Sequence, residues 1–179
     1  MSLFNAALEP AVLLYVPREL GVAPGLFGLI FAVGSAGALA GAAVSARLAP
    51  VVGPYRLLAG GLLIAALGDL LTPLATGSPL AIGLTLALGS VLFGVGVAVY
   101  RILAASLRQQ LTPDALQGRV ALSAMAAIQL GALLGALLGG ALGELTSPRV
   151  TIFFGAFGEL LAVLWLLPLL RSARSSPGT

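Results

Sequence analysis

Apolar residues occur in long continuous runs, unlike the alternating or strongly amphipathic patterns of a soluble domain. A helix that crosses a bilayer needs roughly 17–25 mostly apolar residues, at a rise of about 1.5 Å each. Five runs have this length, and they extend from Pro24 to Ala46, Leu57 to Leu74, Leu80 to Ala104, Val120 to Leu142 and Val150 to Leu170. The pattern predicts an all-α, polytopic membrane bundle with five full spanning helices.

Turn-forming residues separate the runs and predict short links. Because short links favour contact between helices adjacent in sequence, we expect consecutive helices to be antiparallel neighbours. The breakers are Pro50 with Gly53 and Pro54, then residues 76–79, residues 112–114, and Ser147 with Pro148.

The first 16 residues form a shorter apolar segment. Leu3 to Val16 is apolar, but Glu9 and Pro10 interrupt it and Pro17 ends it. Its length covers about 24 Å of a hydrocarbon core of about 30 Å. We interpret it as part of a spanning helix whose beginning is missing, and the alternative is a short interfacial helix. Residues 1–170 then form one membrane bundle, and residues 171–179 form a polar tail.

Composition supports a membrane protein and excludes several kinds of site. Hydrophobic residues make up 59% of the chain and charged residues 8%, against about 25% charged residues in ordinary soluble domains. The sequence has no His, Cys or Lys, which excludes Ser-His and Cys-His catalysis, His/Cys zinc sites and the P-loop. We therefore expect neither an enzyme nor a cofactor nor a metal; an intramembrane enzyme would need two neighbouring carboxyl groups.

Arginine positions predict the orientation in the membrane. The positive-inside rule places the side with more Lys and Arg in the cytoplasm, so the C-terminus is predicted to be cytoplasmic and the location a bacterial-type inner membrane. The Arg residues are scattered and no aromatic stacking surface accompanies them, so they do not indicate nucleic-acid binding. One side receives Arg47, Arg56, Arg108, Arg119, Arg171 and Arg174, and the other receives Arg18 and Arg149.

Glycines and a weak repeat indicate how the helices associate. Gly131, Gly135, Gly139 and Gly143 share one helix face, which predicts close packing or, alternatively, smooth faces that slide during transport. Residues 68–71, Gly-Asp-Leu-Leu, match residues 158–161, Gly-Glu-Leu-Leu, ninety positions later. This match suggests two inverted three-helix repeats, a plan used by secondary transporters.

Four charged residues fall within apolar segments, namely Glu9, Asp69, Arg101 and Glu159. A charge facing lipid costs several kcal/mol, so each should face protein or water. Glu9 and Arg101, with the polar Asn5 and Gln129, are candidates to line a substrate pathway. Asp69 and Glu159 are candidates for proton coupling, because desolvation disfavours the ionised carboxylate, or alternatively for packing. Helix spacing places these two carboxyls at similar depth, beyond easy reach of Arg101.

Two predicted cytoplasmic links carry motifs. The first contains Arg47, Gly53 and Arg56, and the second, LRQQLTPDALQGRV, contains Arg108, Asp114, Gly118 and Arg119. Thr112 or Asp114 can cap the following helix, and Asp114 can pair with Arg108 or Arg119. The alternative is that these links hold only capping residues and positive-inside charge.

The second link resembles the connection between helices ten and eleven of the major facilitator superfamily. The stretch from Leu20 to Ala42 resembles the entry to the family's eighth helix, and the first link resembles its Gly-Asp-Arg-Gly-Arg loop. That link departs from the family at Ser45, where the family has Asp, and at Pro54 and Tyr55, which replace basic residues. The chain therefore resembles a C-terminal half, from within helix seven to the end of helix twelve.

The resemblance implies a function, partners and residue roles. It points to the branch of enterobactin-exporter-like and macrolide-efflux-like proteins, hence to proton-driven export of small amphipathic molecules by alternating access. Helices seven, eight, ten and eleven would face the cavity and place Glu9, Arg101 and Gln129 near it, while Asp69 and Glu159 would lie on peripheral helices. The expected partners are the lipid bilayer, an unknown small-molecule substrate, and a missing N-terminal six-helix domain or a second copy. The alternative is a membrane fragment that is inactive unless it pairs with another half or with itself.

Overall fold

The structure, a computed structural model, describes residues 1–172 and the side chains of residues 1–164. This part of the chain is all-helical, with short links and without strands. The helices are α1 Ser2–Arg18, α2 Pro24–Val52, α3 Pro54–Leu74, α4 Pro79–Leu111, α5 Gln117–Leu145 and α6 Pro148–Ser172, and a single 3₁₀ turn, Asp114–Leu116, precedes α5.

Four helices in the described residues are long and apolar enough to cross a membrane: α2, α3, α4, and α5 together with its preceding turn. They confirm a multi-pass membrane protein. The predicted fifth span, Val150 to Leu170, lies within α6, and its role as a span stays a prediction. Of the predicted polar tail, residues 171 and 172 continue α6, whereas residues 173–179, including Arg174, lie outside the described residues.

Several prolines predicted to interrupt helices lie inside them. Pro10 and Pro17 are within α1, and Pro50 is within α2, so the expected interruption at Glu9 and Pro10 and the expected link at Pro50 are wrong. In a bilayer each unpaired backbone group is costly, which favours continuing a helix past a proline. The break between α2 and α3 instead occurs at Gly53, whose φ of +89° and ψ of 142° suit only glycine.

The helices pack mainly against helices distant in sequence. The extensive contacts are α2 with α4, α3 with α4, α1 with α5, α1 with α6, and α3 with α6. The expectation of consecutive neighbours is correct for α3 and α4 but wrong for α1–α2, α2–α3, α4–α5 and α5–α6, which touch little. Since lipid provides no hydrophobic drive between helices, the small-residue faces decide which helices associate.

The contact pattern has an internal symmetry. If α1, α2 and α3 are exchanged with α4, α5 and α6, the α2–α4 contact becomes the α5–α1 contact and the α1–α6 contact becomes the α4–α3 contact. The α3–α6 contact maps onto itself. This is the pattern expected if each half contains three equivalent helices.

Glycines provide the closest approaches between these helices. A Cβ added at Gly135 or Gly139 would collide with the carbonyl oxygen of Leu3 or Ala7 on α1, and one added at Gly37 would lie 2.6 Å from that of Val91 on α4. The packing role predicted for these glycines is therefore observed. Gly143 does not continue this face, since its nearest atom is Thr151 Oγ1 on α6, at an ordinary 3.8 Å.

Candidate functional site

A cavity of about 290 Å³ lies between α1, α2, α3 and α4. Its polar lining comes from three helices: Asn5 and Glu9 on α1, Asp69 and Thr72 on α3, and Ser90 and Arg101 on α4. The structure thus brings together Asn5, Glu9 and Arg101, three of the four side chains predicted to line a pathway. It adds Asp69, so Arg101 shares a cavity with a carboxyl group that helix spacing had placed beyond its easy reach.

The remaining walls of the cavity are largely apolar and aromatic. Phe27 and Phe31 of α2 line it and form an edge-to-face pair with ring centroids 5.0 Å apart, and Phe93 of α4 lines it as well. Glu9 and Arg101 carry opposite charges on two different helices, and both side chains are exposed. Mostly apolar walls with a few placed polar groups are typical of small-molecule sites.

Some lining residues were not proposed from the sequence, although a signal existed for two of them. Ser90 is eleven residues before Arg101, and Thr72 is three residues after Asp69. Both spacings place the residues on the same helix face as the charge. No comparable signal identified Phe27, Phe31 and Phe93, because aromatic residues also occur on faces that contact lipid.

Gln129 is the one pathway candidate outside this cavity. It is exposed on α5, two positions before Gly131, which faces Ser2 of α1. Two residues correspond to about 200° around a helix, so Gln129 points away from α1. Its place on a pathway stays a prediction.

A second feature is the meeting of two carboxyl side chains at the α3–α6 interface. Asp69 of α3 and Glu159 of α6 lie within interaction distance of each other, which confirms that they are close in depth. Glu159 is 0% exposed and Asp69 is 8% exposed. Asp69 Oδ2 and both Glu159 oxygens have no hydrogen-bond partner among the described residues.

A glycine directly before each carboxyl residue allows close contact with a further helix. Gly68 packs against the backbone of Gly89 and Phe93 on α4, while Gly158 packs against the ring of Phe4 on α1. Each acidic residue therefore follows a glycine whose missing side chain lets a neighbouring helix come near. The prediction that these charges lie on small-residue faces is confirmed.

The α4–α5 link forms a smaller polar cavity of about 280 Å³, lined in part by Arg108 and Gly118. Asp114 Oδ1 accepts a hydrogen bond from Gln117 Nε2 at 2.9 Å, and Thr112 Oγ1 donates to the Arg108 carbonyl at 2.6 Å. Neither residue caps α5, whose N-cap makes no side-chain hydrogen bond, so that expected cap is wrong. The side chains of Thr112 and Asp114 are therefore both engaged in hydrogen bonds with residues close in sequence.

The α2–α3 link is a single residue, Gly53, between exposed Arg47 and Arg56. Ser45, at the position where the resemblance expects an Asp, is buried and its hydroxyl donates to the Gly41 carbonyl at 2.9 Å. This hydrogen bond stays within α2. Arg119, the remaining link candidate, is exposed at the start of α5.

Comparison with protein families identifies the kind of protein. The model of the family described as Major Facilitator Superfamily matches residues 1–179. The chain belongs to the major facilitator superfamily. A member of this superfamily with several apolar spans is a membrane transporter, which is consistent with the expectation that the chain is not an enzyme. No curated protein and no solved structure matches the chain.

Proposed function

We propose that this superfamily member exports small amphipathic molecules in exchange for protons, as in the enterobactin-exporter-like and macrolide-efflux-like branch. The observation that supports this proposal is the cavity in which Glu9 and Arg101 accompany the aromatic side chains of Phe27, Phe31 and Phe93. Apolar walls favour the apolar part of a substrate, and the two charges favour its polar part. A proton crossing 100 mV supplies about 2.3 kcal/mol, which can drive accumulation against a gradient.

Transport further requires a second wall that faces this bundle. Alternating access in this superfamily rocks two bundles around a central site, and the cavity described above is lined by four helices of one bundle. We therefore propose an N-terminal six-helix domain or a second copy of the chain as the partner. Glu9 and Arg101 are exposed, which favours the alternative function of a membrane fragment. In this alternative the chain is inactive until it pairs with another half or with a second copy.

The proposed location is the inner membrane, with the C-terminus in the cytoplasm. The α2–α3 and α4–α5 links lie at one end of the bundle. Next to these links, within the adjoining helices, are Arg47, Arg56, Arg108 and Arg119. Arg149 lies at the other end, where its Nε donates to the Pro73 carbonyl at 2.9 Å. This separation of positive charge supports the orientation from the positive-inside rule.

Flux measurements in proteoliposomes test the function. The purified chain is reconstituted with an imposed proton gradient, and movement of an amphipathic fluorescent dye is followed with and without a protonophore. We expect gradient-dependent flux once the chain has paired, either with a second copy in the vesicle or with an added N-terminal half. We expect Glu9→Gln or Arg101→Gln to reduce this flux at least tenfold, because each removes a charge from the cavity. Flux that persists with the protonophore would refute proton coupling.

Matched variants separate the cavity from general charge effects. Glu19→Gln and Arg18→Gln remove exposed charges that lie outside the cavity lining, and we expect normal flux from both. Equal loss in these controls would remove Glu9 and Arg101 from the pathway. Flux from the chain alone would identify a second copy as the partner, whereas flux only after a separate N-terminal half is added would identify that half.

A further inference from the structure

We propose that Asp69 and Glu159 form a proton-binding site, in which one proton is shared between the two carboxyl groups and joins α3 to α6. This proposal goes beyond the transport function, since it concerns a bound proton within the resting bundle and does not depend on any substrate.

The geometry leaves the two carboxyl groups dependent on each other. They lie side by side at the α3–α6 interface, and both residues are more than nine-tenths buried, with 8% exposure for Asp69 and 0% for Glu159. Within the described residues, Asp69 Oδ2, Glu159 Oε1 and Glu159 Oε2 receive no hydrogen bond. No protein donor in this part of the chain is therefore positioned to satisfy these three carboxyl oxygens.

A proton shared between Asp69 and Glu159 removes their charge repulsion and provides a hydrogen bond between them. Two ionised carboxylates in contact would repel each other in a weakly polar interior, and carboxyl pairs of this kind retain one proton between them. A protonated oxygen of one group then donates to the other group, and such charge-assisted O–H···O bonds are short and strong. A metal ion fits less well, because the described residues contain no cluster of three or more metal-ligating side chains.

The neighbouring helices supply charges but no direct partner to these oxygens. Tyr100 of α4 and the Met1 amino group lie close enough to Glu159 to interact electrostatically with it. Arg101 of α4 and Glu9 of α1 line the cavity that Asp69 also lines. None of these groups donates to the three unpaired oxygens in the described part of the chain. The proton is thus the ligand that the pair itself can hold.

The position of each carboxyl group indicates a route for the proton. Asp69 lines the cavity between α1 and α4, whereas Glu159 is not part of that lining. The proton can reach the pair from the cavity at Asp69 and be shared with Glu159 behind it. Because the α3–α6 contact maps onto itself when the two halves are exchanged, the shared proton lies where the two halves meet.

Infrared spectroscopy of the purified full chain at neutral pH tests this site. A protonated carboxyl group has a carbonyl band above the amide region, and the band shifts in D₂O. The chain has six acidic residues, and the four outside the pair are exposed. We therefore expect a band area of about one seventh of that of the acid-denatured protein, in which the six acidic side chains and the C-terminal carboxyl group are all protonated. In the unmodified chain, a band area of zero or of two carboxyl groups would overturn the proposal.

Single amide variants distinguish sharing from separate protonation. Asp69→Asn and Glu159→Gln keep the shape and place an N–H donor beside the remaining carboxyl group, so that group no longer needs the proton. We expect each variant to lose the whole band, while Glu9→Gln, which alters an exposed acid in the same cavity, keeps it. Retention of the band in either pair variant would show a proton held by one residue alone and would refute sharing.

Discussion

The close packing of α2 against α4 can be tested directly with Gly37→Ala on α2. The added Cβ would lie 2.6 Å from the Val91 carbonyl oxygen and 3.0 Å from Val91 Cα on α4. The first distance is about 0.8 Å short of the 3.4 Å at which ordinary contact begins. Both atoms belong to the backbone, so no flexible side chain can move aside. Overpacking of this kind costs about 1–3 kcal/mol.

The helix preference of alanine changes the free energy of unfolding in the opposite direction, because it stabilises the helix. Alanine is favoured over glycine in a helix interior by about 1 kcal/mol, and this gain also applies at Gly60 of α3. A Cβ added at Gly60 would meet nothing within 4 Å, so Gly60→Ala is the matched control. The difference between the two variants cancels the helix preference and leaves the steric cost.

The assay is equilibrium unfolding of each purified variant in mixed micelles with increasing SDS, followed by circular dichroism and tryptophan fluorescence. We expect Gly37→Ala to be less stable than Gly60→Ala by about 1–3 kcal/mol. Equal stabilisation by both substitutions would show that α2 and α4 are not held at this distance, and the packing argument would fail.

Three further predictions concern the links and the orientation. Gly53→Ala should destabilise the chain by about 1–3 kcal/mol, because its φ is +89° although an added Cβ meets nothing within 4 Å; in the same unfolding assay Gly140→Ala, a helical glycine in open space, should not destabilise. Arg149→Gln should cost about 1.5–3 kcal/mol, because it removes the donor to the Pro73 carbonyl; a loss no larger than that of Arg18→Gln would contradict this. Since the chain contains no Cys, Arg119→Cys and Arg18→Cys introduce single thiols. An impermeant maleimide should label Arg18→Cys in intact cells and Arg119→Cys only after lysis, and the reverse result would invert the orientation.

Much of the candidate site followed from where charges interrupt apolar runs. Glu9 and Arg101 are recognisable because a charge within a spanning segment must face protein or water, and both line the same cavity. The sequence separation of Glu9 and Arg101 does not predict that the two side chains line the same cavity. Their common cavity results from the packing of α1, α2, α3 and α4, which depends on glycines whose partner helices cannot be read from a single sequence.

For the carboxyl pair as well, one part could be predicted from the sequence and another part depended on the tertiary structure. Helix rise places Asp69 and Glu159 at similar depth, and their matching Gly-acid-Leu-Leu contexts suggest equivalent positions in two repeats. Whether equivalent residues face each other depends on where the two halves meet. The structure places α3 against α6, which turns two separate buried acids into one pair.

The amino-acid sequence alone determines that this protein crosses a membrane several times, because long apolar runs without enough charged residues cannot be stable in water as a folded surface. It also determines which residues cannot face lipid and where most helices end, since both are local properties of charge and turn chemistry. Only the tertiary structure decides which helices touch, because in lipid the partners are chosen by close contact between small-residue faces. That choice puts Glu9 and Arg101 around one cavity, and it leaves the carboxyl groups of Asp69 and Glu159 in contact.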